Sequence, residues 1–168
     1  MHKKETGGKK ESNIKKPHNY LIGFFLLTML SCDSGIYEEY HSFDNQLWNT
    51  DSIIEFSYII PDTTKKYDLS LKLRHSIEYE FQNLFIFLYS KRKDTIEINL
   101  ADKNGKWLGS GVSDIREVEY AIEKGRMFLK KGEHQLSIEQ AMRYGFENKI
   151  DNLENVLDIG LIISKNNE

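Results

Sequence analysis

The sequence predicts an all-β protein: a single antiparallel β-sandwich of jelly-roll-like type, standing behind an N-terminal lipoprotein signal peptide. Three observations carry that prediction. Beyond residue 50 the dominant spacing of apolar side chains is two, turn signals part the alternating runs at short intervals, and no Pro-rich or Gly/Ser-rich linker or internal repeat divides the body. The chain has 168 residues, 39% of them hydrophobic and 29% charged, which is globular composition and excludes the disordered and collagen-like classes.

The first segment reads as an address. Residues 1–19 are polar and lysine-rich, and the eleven residues from Tyr20 to Leu30 carry no charge. At ~1.5 Å per residue that run reaches about half-way across a ~30 Å hydrocarbon core, too short for a stable membrane span and right for a cleaved signal. Ser31 stands directly before Cys32, the single cysteine of the chain. Leu30-Ser31-Cys32 resembles a bacterial lipobox, which implies cleavage after Ser31 and a covalent lipid on the Cys32 sulfur. Each buried acyl methylene adds ~0.8 kcal/mol, and two or three chains together make an anchor effectively permanent. A lone cysteine allows no internal disulfide, so the fold must rest on its core. The division that follows is a signal peptide over 1–31, a lipidated acidic and aromatic tether over 32–45, and the sandwich domain over 46–168.

The body then reads strand by strand. Ile54, Phe56, Tyr58 and Ile60 alternate with Ile53, Glu55, Ser57 and Ile59, and Pro61-Asp62 ends the run. Tyr67, Leu69, Leu71 and Leu73 alternate with Asp68, Ser70, Lys72 and Arg74 as a half-buried strand. Residues 81–89 are apolar or aromatic at both sets of positions, so a strand there is covered on both faces, by a loop or terminal segment or by another protein. After Lys91-Arg92-Lys93-Asp94, the residues Ile96, Ile98 and Leu100 share one face. Asn104-Gly105 predicts a type I′ hairpin turn before Trp107. Residues 113–125 fit helix and strand equally well. Strands are expected at 126–130, 135–142 and 157–164.

No catalytic chemistry emerges. His41, His75 and His134 are scattered and lack zinc-ligand spacing. Asp102-Lys103-Asn104-Gly105 begins like a calcium loop, but its glycine comes fourth and Ser113 stands at position twelve. The glycines of 105–111 lack the order of a phosphate loop and suit a bulge or tight corner with Trp107 as packing anchor. There is no G-x-S-x-G, and Glu38-Glu39 and Glu117 with Glu119 read as solvated surface. Residues 1–31 hold six of the 23 Lys and Arg and two of the 26 Asp and Glu, which leaves 17 basic and 24 acidic side chains, net −7, from Cys32 on. Phosphate backbones repel such a body, so nucleic-acid binding is excluded. No small-molecule substrate, cofactor or metal is expected. Ser137 to Arg143 places Glu139, Gln140 and Arg143 beside Ile138 and Met142, as an edge strand, a helical turn pairing Glu139 with Arg143, a polar contact surface, or a buried structural pair.

Several blocks, in order, resemble the gliding-motility lipoprotein family GldH: Tyr37-Glu38-Glu39-Tyr40, Asp94 to Glu97, Leu100-Ala101-Asp102, Gly105 to Gly111, Ile138 to Arg143 and Asp158 to Leu161, with Cys32 where that family carries its lipidated cysteine. The resemblance covers most of residues 32–164. It implies an outer-membrane lipoprotein of machinery that overlaps type IX protein secretion, without enzymatic activity, held in the cell envelope by its acyl chains and working on other envelope motility or secretion proteins. Candidate contact residues are Trp107, Glu139 and Arg143. A surface glycan-binding sandwich is the alternative, with Trp48 and Trp107 as the aromatic platform; exposed and coplanar rings would favour it, buried ones would not.

Overall fold

Alternation of apolar and polar side chains drives the chain into strands, and the strands stack so that their apolar sides meet. The computed structural model describes residues 35–146 and 149–166. Within them lie β1 (Gly35–Ser42), β2 (Leu47–Asn49), β3 (Ile54–Ile60), β4 (Lys66–Ser76), β5 (Asn83–Tyr89), β6 (Lys93–Asn99), β7 (Ile115–Met127), β8 (Gly132–Gln140), β9 (Asn152–Glu154) and β10 (Val156–Lys165). One sheet has the order β1-β10-β4-β7, the other β3-β8-β5-β6, and β2 and β9 form a short ribbon. Every pairing is antiparallel, and the chain crosses repeatedly between the two sheets, as in a jelly roll.

The core lies between the sheets. Tyr67, Leu69, Leu71 and Leu73 of β4 and Ile159, Leu161 and Ile163 of β10 face Phe56 and Ile60 of β3, Leu84 and Ile86 of β5, and Leu136 and Ile138 of β8, all buried. Tyr58, Tyr67, Phe128 and His134 close one end through ring contacts of 4.8 to 6.2 Å. At the other end Phe43 stacks on Trp48, centroids 4.7 Å apart.

On the outer face of the first sheet, Asp158 of β10 lies opposite Arg74 of β4. Asp158 is buried to 3% exposure, and Arg74 Nε donates to both of its carboxylate oxygens at 2.9 Å. The Arg74 guanidinium also lies 5.7 Å from the centre of the Tyr40 ring. Removing one member of such a pair leaves a buried charge uncompensated, so the pair acts as a unit. Tyr40 faces Gly160 across the β1–β10 ladder.

Several expectations change. Residues 35–42, read as part of the tether, form edge strand β1 along β10, with the Tyr37 ring 5.8 Å from that of Tyr58. Its polar, weakly alternating sequence concealed a strand held mainly by its ladder to β10. Of residues 113–125, those from Ile115 on resolve as strand, after a turn at Ser113 and Asp114, because β7 pairs along the length of β4 and Val118, Tyr120 and Ile122 share its inner side. The strand expected at 126–130 ends at Met127, since Phe128 turns into the core and takes the backbone with it. The turn at Asn104-Gly105 is not type I′: only Gly105 has positive φ, at 78°. Asp102 organises it, its carboxylate accepting from Asn104 N at 2.8 Å and Lys106 N at 2.9 Å.

A β-carbon on Gly160 would sit 2.5 Å from Tyr40 Cδ1, so Gly160→Ala drives the ring off the ladder. The expected loss is about 1–3 kcal/mol by urea unfolding. In a Tyr40→Ala background the same substitution costs less than half as much.

Candidate protein-interaction surface

Strand β5 is central in the second sheet, and its double set of apolar positions decides what that sheet presents. Leu84, Ile86 and Leu88 are buried inward, while Phe85, Phe87 and Tyr89 are half-buried on the outer face. Cover over this aromatic stripe is partial. From β6, the Lys93 ammonium lies 3.5 Å from the centre of the Phe87 ring and 5.1 Å from that of Tyr89. From β8, Glu139 stands opposite Phe87 and accepts a 2.6 Å hydrogen bond from the Tyr89 hydroxyl. Between these groups, Phe85, Phe87, Thr95, Ala141 and Arg143 line a shallow depression of about 410 Å³. The result is a flat aromatic strip edged by both signs of charge, the composition that protein contacts favour.

Glu139 and Arg143 do not pair. The chain is extended through Gln140 and irregular over 141–144, so residues four apart lack the shared side that a helical turn gives them. Arg143 is exposed at the rim of the depression and makes no ion pair among the described residues. Gln140, singled out in the sequence beside Ile138 and Met142, is 1% exposed and fixes this border. Its Nε2 donates to Ile150 O at 2.6 Å, and its Oε1 accepts from Met142 N at 2.9 Å. Met142 is buried, and its sulfur accepts from Phe85 N at 3.2 Å. The signal was present as a polar residue on the inward beat after Leu136 and Ile138.

Trp107 is elsewhere. Its half-buried ring packs 4.8 Å from the His75 ring, behind the corner where Ser110 bridges to Glu117. It acts as the packing anchor that the glycine-rich stretch suggested. Trp48 is fully buried, so the two tryptophans do not form an exposed platform for sugars. Cys32 and the signal segment lie outside the described residues. Among the described residues no cluster of His, Cys, Asp or Glu is arranged to hold a metal.

His75 is fully buried, with Nδ1 2.8 Å from Ser76 O and Nε2 without a hydrogen-bond partner. Facing a carbonyl, Nδ1 must carry the proton. Burial pushes the imidazole below its ordinary value, the bond to Ser76 O opposes the shift, and Arg116 adds to it.

The sequence profile of the GldH lipoprotein family matches residues 35–163. A gliding motility lipoprotein GldH homolog of Christiangramia forsetii is 33% identical over 154 residues, spanning 87% of this chain and 94% of that one. The gliding motility lipoprotein GldH of Flavobacterium johnsoniae is 32% identical over 160 residues, spanning 90% and 98%. Among solved structures, dimeric latent PorU from Porphyromonas gingivalis aligns over 80% of this chain and 13% of its own, at 8% identity and a TM-score of 0.37.

Two outcomes follow from this geometry. Glu139→Ala lowers stability by about 1 kcal/mol through loss of the Tyr89 bond, whereas Arg143→Ala stays within ~0.5 kcal/mol, both read by urea unfolding. For His75, the unfolded chain takes up a proton as pH falls through about 6.5 while the folded chain resists. The contribution of His75 to stability is therefore fully present above that value and is lost below it, and the decline between pH 7.5 and 5.5 is shallower in His75→Leu.

Proposed function

The chain belongs to the GldH lipoprotein family, and from that premise we propose that it is a non-catalytic component of gliding-motility machinery that overlaps type IX secretion, anchored in the outer membrane and working through protein contacts. The half-open aromatic stripe of β5, rimmed by Lys93, Glu139 and Arg143, is the observation that carries the reading. It offers a protein partner flat aromatic area with little side-chain entropy to lose, and charged groups at the edge to set register. The lipid on Cys32 supplies the other half of the mechanism. Confinement to a bilayer turns a three-dimensional search into a local one and raises the effective concentration of partners, so each contact can be weak. Recognition is then a matter of surface, which suits a domain whose polar residues converge on backbone groups and on one another.

Deleting the gene in its host and restoring variants tests the reading. The intact gene restores surface spreading and the release of secreted proteins. Cys32→Ala leaves the product outside the membrane fraction and restores neither. Phe87→Ser with Arg143→Glu stays in the membrane fraction but fails to bring down the envelope proteins that the intact chain retains after cross-linking, and spreading falls with it. A deletion strain that spreads and secretes normally refutes the function. Normal spreading with the double variant refutes the surface.

A further inference from the structure

We infer that the cationic end of the sandwich, formed by the β3–β4, β5–β6 and β7–β8 loops, docks on an anionic phospholipid surface. The inference rests on the anchor at Cys32. The three loops cover residues 61–65, 90–92 and 128–131, and hold Lys65, Lys91, Arg92, Lys130 and Lys131 against the single carboxylate of Asp62. Register brings them together: Ile60 pairs with Gly132, Lys66 with Met127, and Tyr89 with Ser137. Lys91, Lys130 and Lys131 line one depression of about 370 Å³ with Met127 and Leu129, and its lining also holds Arg126 and one carboxylate, Glu133. Arg92 reaches Asp94 at 3.3 Å, but Lys65, Lys91, Lys130 and Lys131 make no ion pair among the described residues. Two large apolar side chains stand out beside these ammonium groups, Met127 at 59% and Leu129 at 87% exposure.

This concentration runs against the body as a whole, which is net −7. At the opposite end, the stretches 43–46, 50–53, 77–82, 100–114, 141–146 and 149–151 hold seven acidic side chains against Lys103, Lys106, Arg143 and Lys149, and Lys149 is paired with Asp51 at 3.0 Å. The domain is therefore polarised along its strands.

Chain length decides which end meets the bilayer. β1 begins at Gly35, opposite Ser164, and Lys165 pairs with Tyr67, so β1 starts at the cationic end. From Cys32 to Gly35 there are three residue steps, at most about 10 Å of extended chain. An acyl-modified cysteine on so short a lead keeps the cationic loops within about a Debye length of the headgroups, where each lysine adds attraction to anionic lipid. Leu129 and Met127 are placed to enter the headgroup boundary, and Lys130 and Lys131, which follow Leu129, meet the phosphates.

The test uses the mature, acylated protein reconstituted in vesicles of phosphatidylcholine, with or without phosphatidylglycerol. An environment-sensitive dye is placed on Leu129→Cys, or on Lys103→Cys at the far end. The dye at 129 is expected to shift to the blue and to be quenched by doxyl lipid in phosphatidylglycerol vesicles alone, while the dye at 103 reports water in both. Lys130→Gln and Lys131→Gln each lower the ratio of docked to undocked domain about fivefold, without release from the vesicle. Equal water exposure at 129 and 103, or a signal at 129 indifferent to phosphatidylglycerol, overturns the docking. Failure of the anchor is distinguishable: the protein without an added cysteine would then take up dye at Cys32 and would not float with vesicles of pure phosphatidylcholine.

Discussion

The seating of β10 between β1 and β4 is the constraint on which the first sheet depends. Ile159, Leu161 and Ile163 fill the inner face against Leu73, Leu71 and Leu69, while Asp158 on the other face is held by Arg74. β1 has β10 as its sheet partner, so the strand nearest the proposed anchor pairs with the last strand of the chain. The body of the domain lies between them in sequence. Loop-closure entropy must be overcome before that contact rewards folding, which places completion of the first sheet late. Without a disulfide in the described residues, nothing but packing and the ladder holds β1 in place. That is why the close approach of Tyr40 to Gly160 matters more than its edge position suggests.

Strands facing the core on one side and water on the other were legible, because side-chain period alone reports them. Ile54 to Ile60 and Tyr67 to Leu73 are cases of this kind. Where the chain departed from clean alternation, the reading failed for identifiable reasons. β1 exposes most of its residues on both sides and is held by pairing, so its sequence carries little period. Val118, Tyr120 and Ile122 shared an apolar beat with a helical spacing, and the long partner β4 decided between them. At Asn104-Gly105 the dipeptide suggested a turn of the right place and the wrong type, because the carboxylate of Asp102 captures the backbone amides first.

The candidate surface was half legible. That residues 81–89 would be apolar on both faces followed from sequence, and so did the two possible covers. The structure gives an intermediate arrangement in which Lys93 and Glu139 screen the stripe without burying it. Glu139 and Arg143 were singled out as neighbours in sequence, yet they serve differently: one is engaged with Tyr89, the other is free of ion pairs among the described residues. Trp107 was singled out for its size, and size is what it supplies, filling the space beside His75. The cationic end was not legible at all. Its lysines come from three loops far apart in sequence, and an overall negative charge conceals them until register brings the loops together.

The two surfaces answer different needs because of how they lie relative to the strands. Loops at the start of β1 cap the strand ends, whereas Phe85, Phe87 and Tyr89 point out from the side of a sheet, perpendicular to its plane. A bilayer that meets the loops therefore leaves the stripe facing along the membrane and not into it. Lateral partners reach a side face by diffusion in the same two dimensions, and a domain fixed at its end presents that face in a limited range of orientations. Part of the rotational entropy of association is then lost before any partner arrives, which lowers what the contact itself must supply. In the proposed arrangement the anchor limits distance, the cationic loops limit orientation, and the aromatic stripe needs only modest affinity once both are limited.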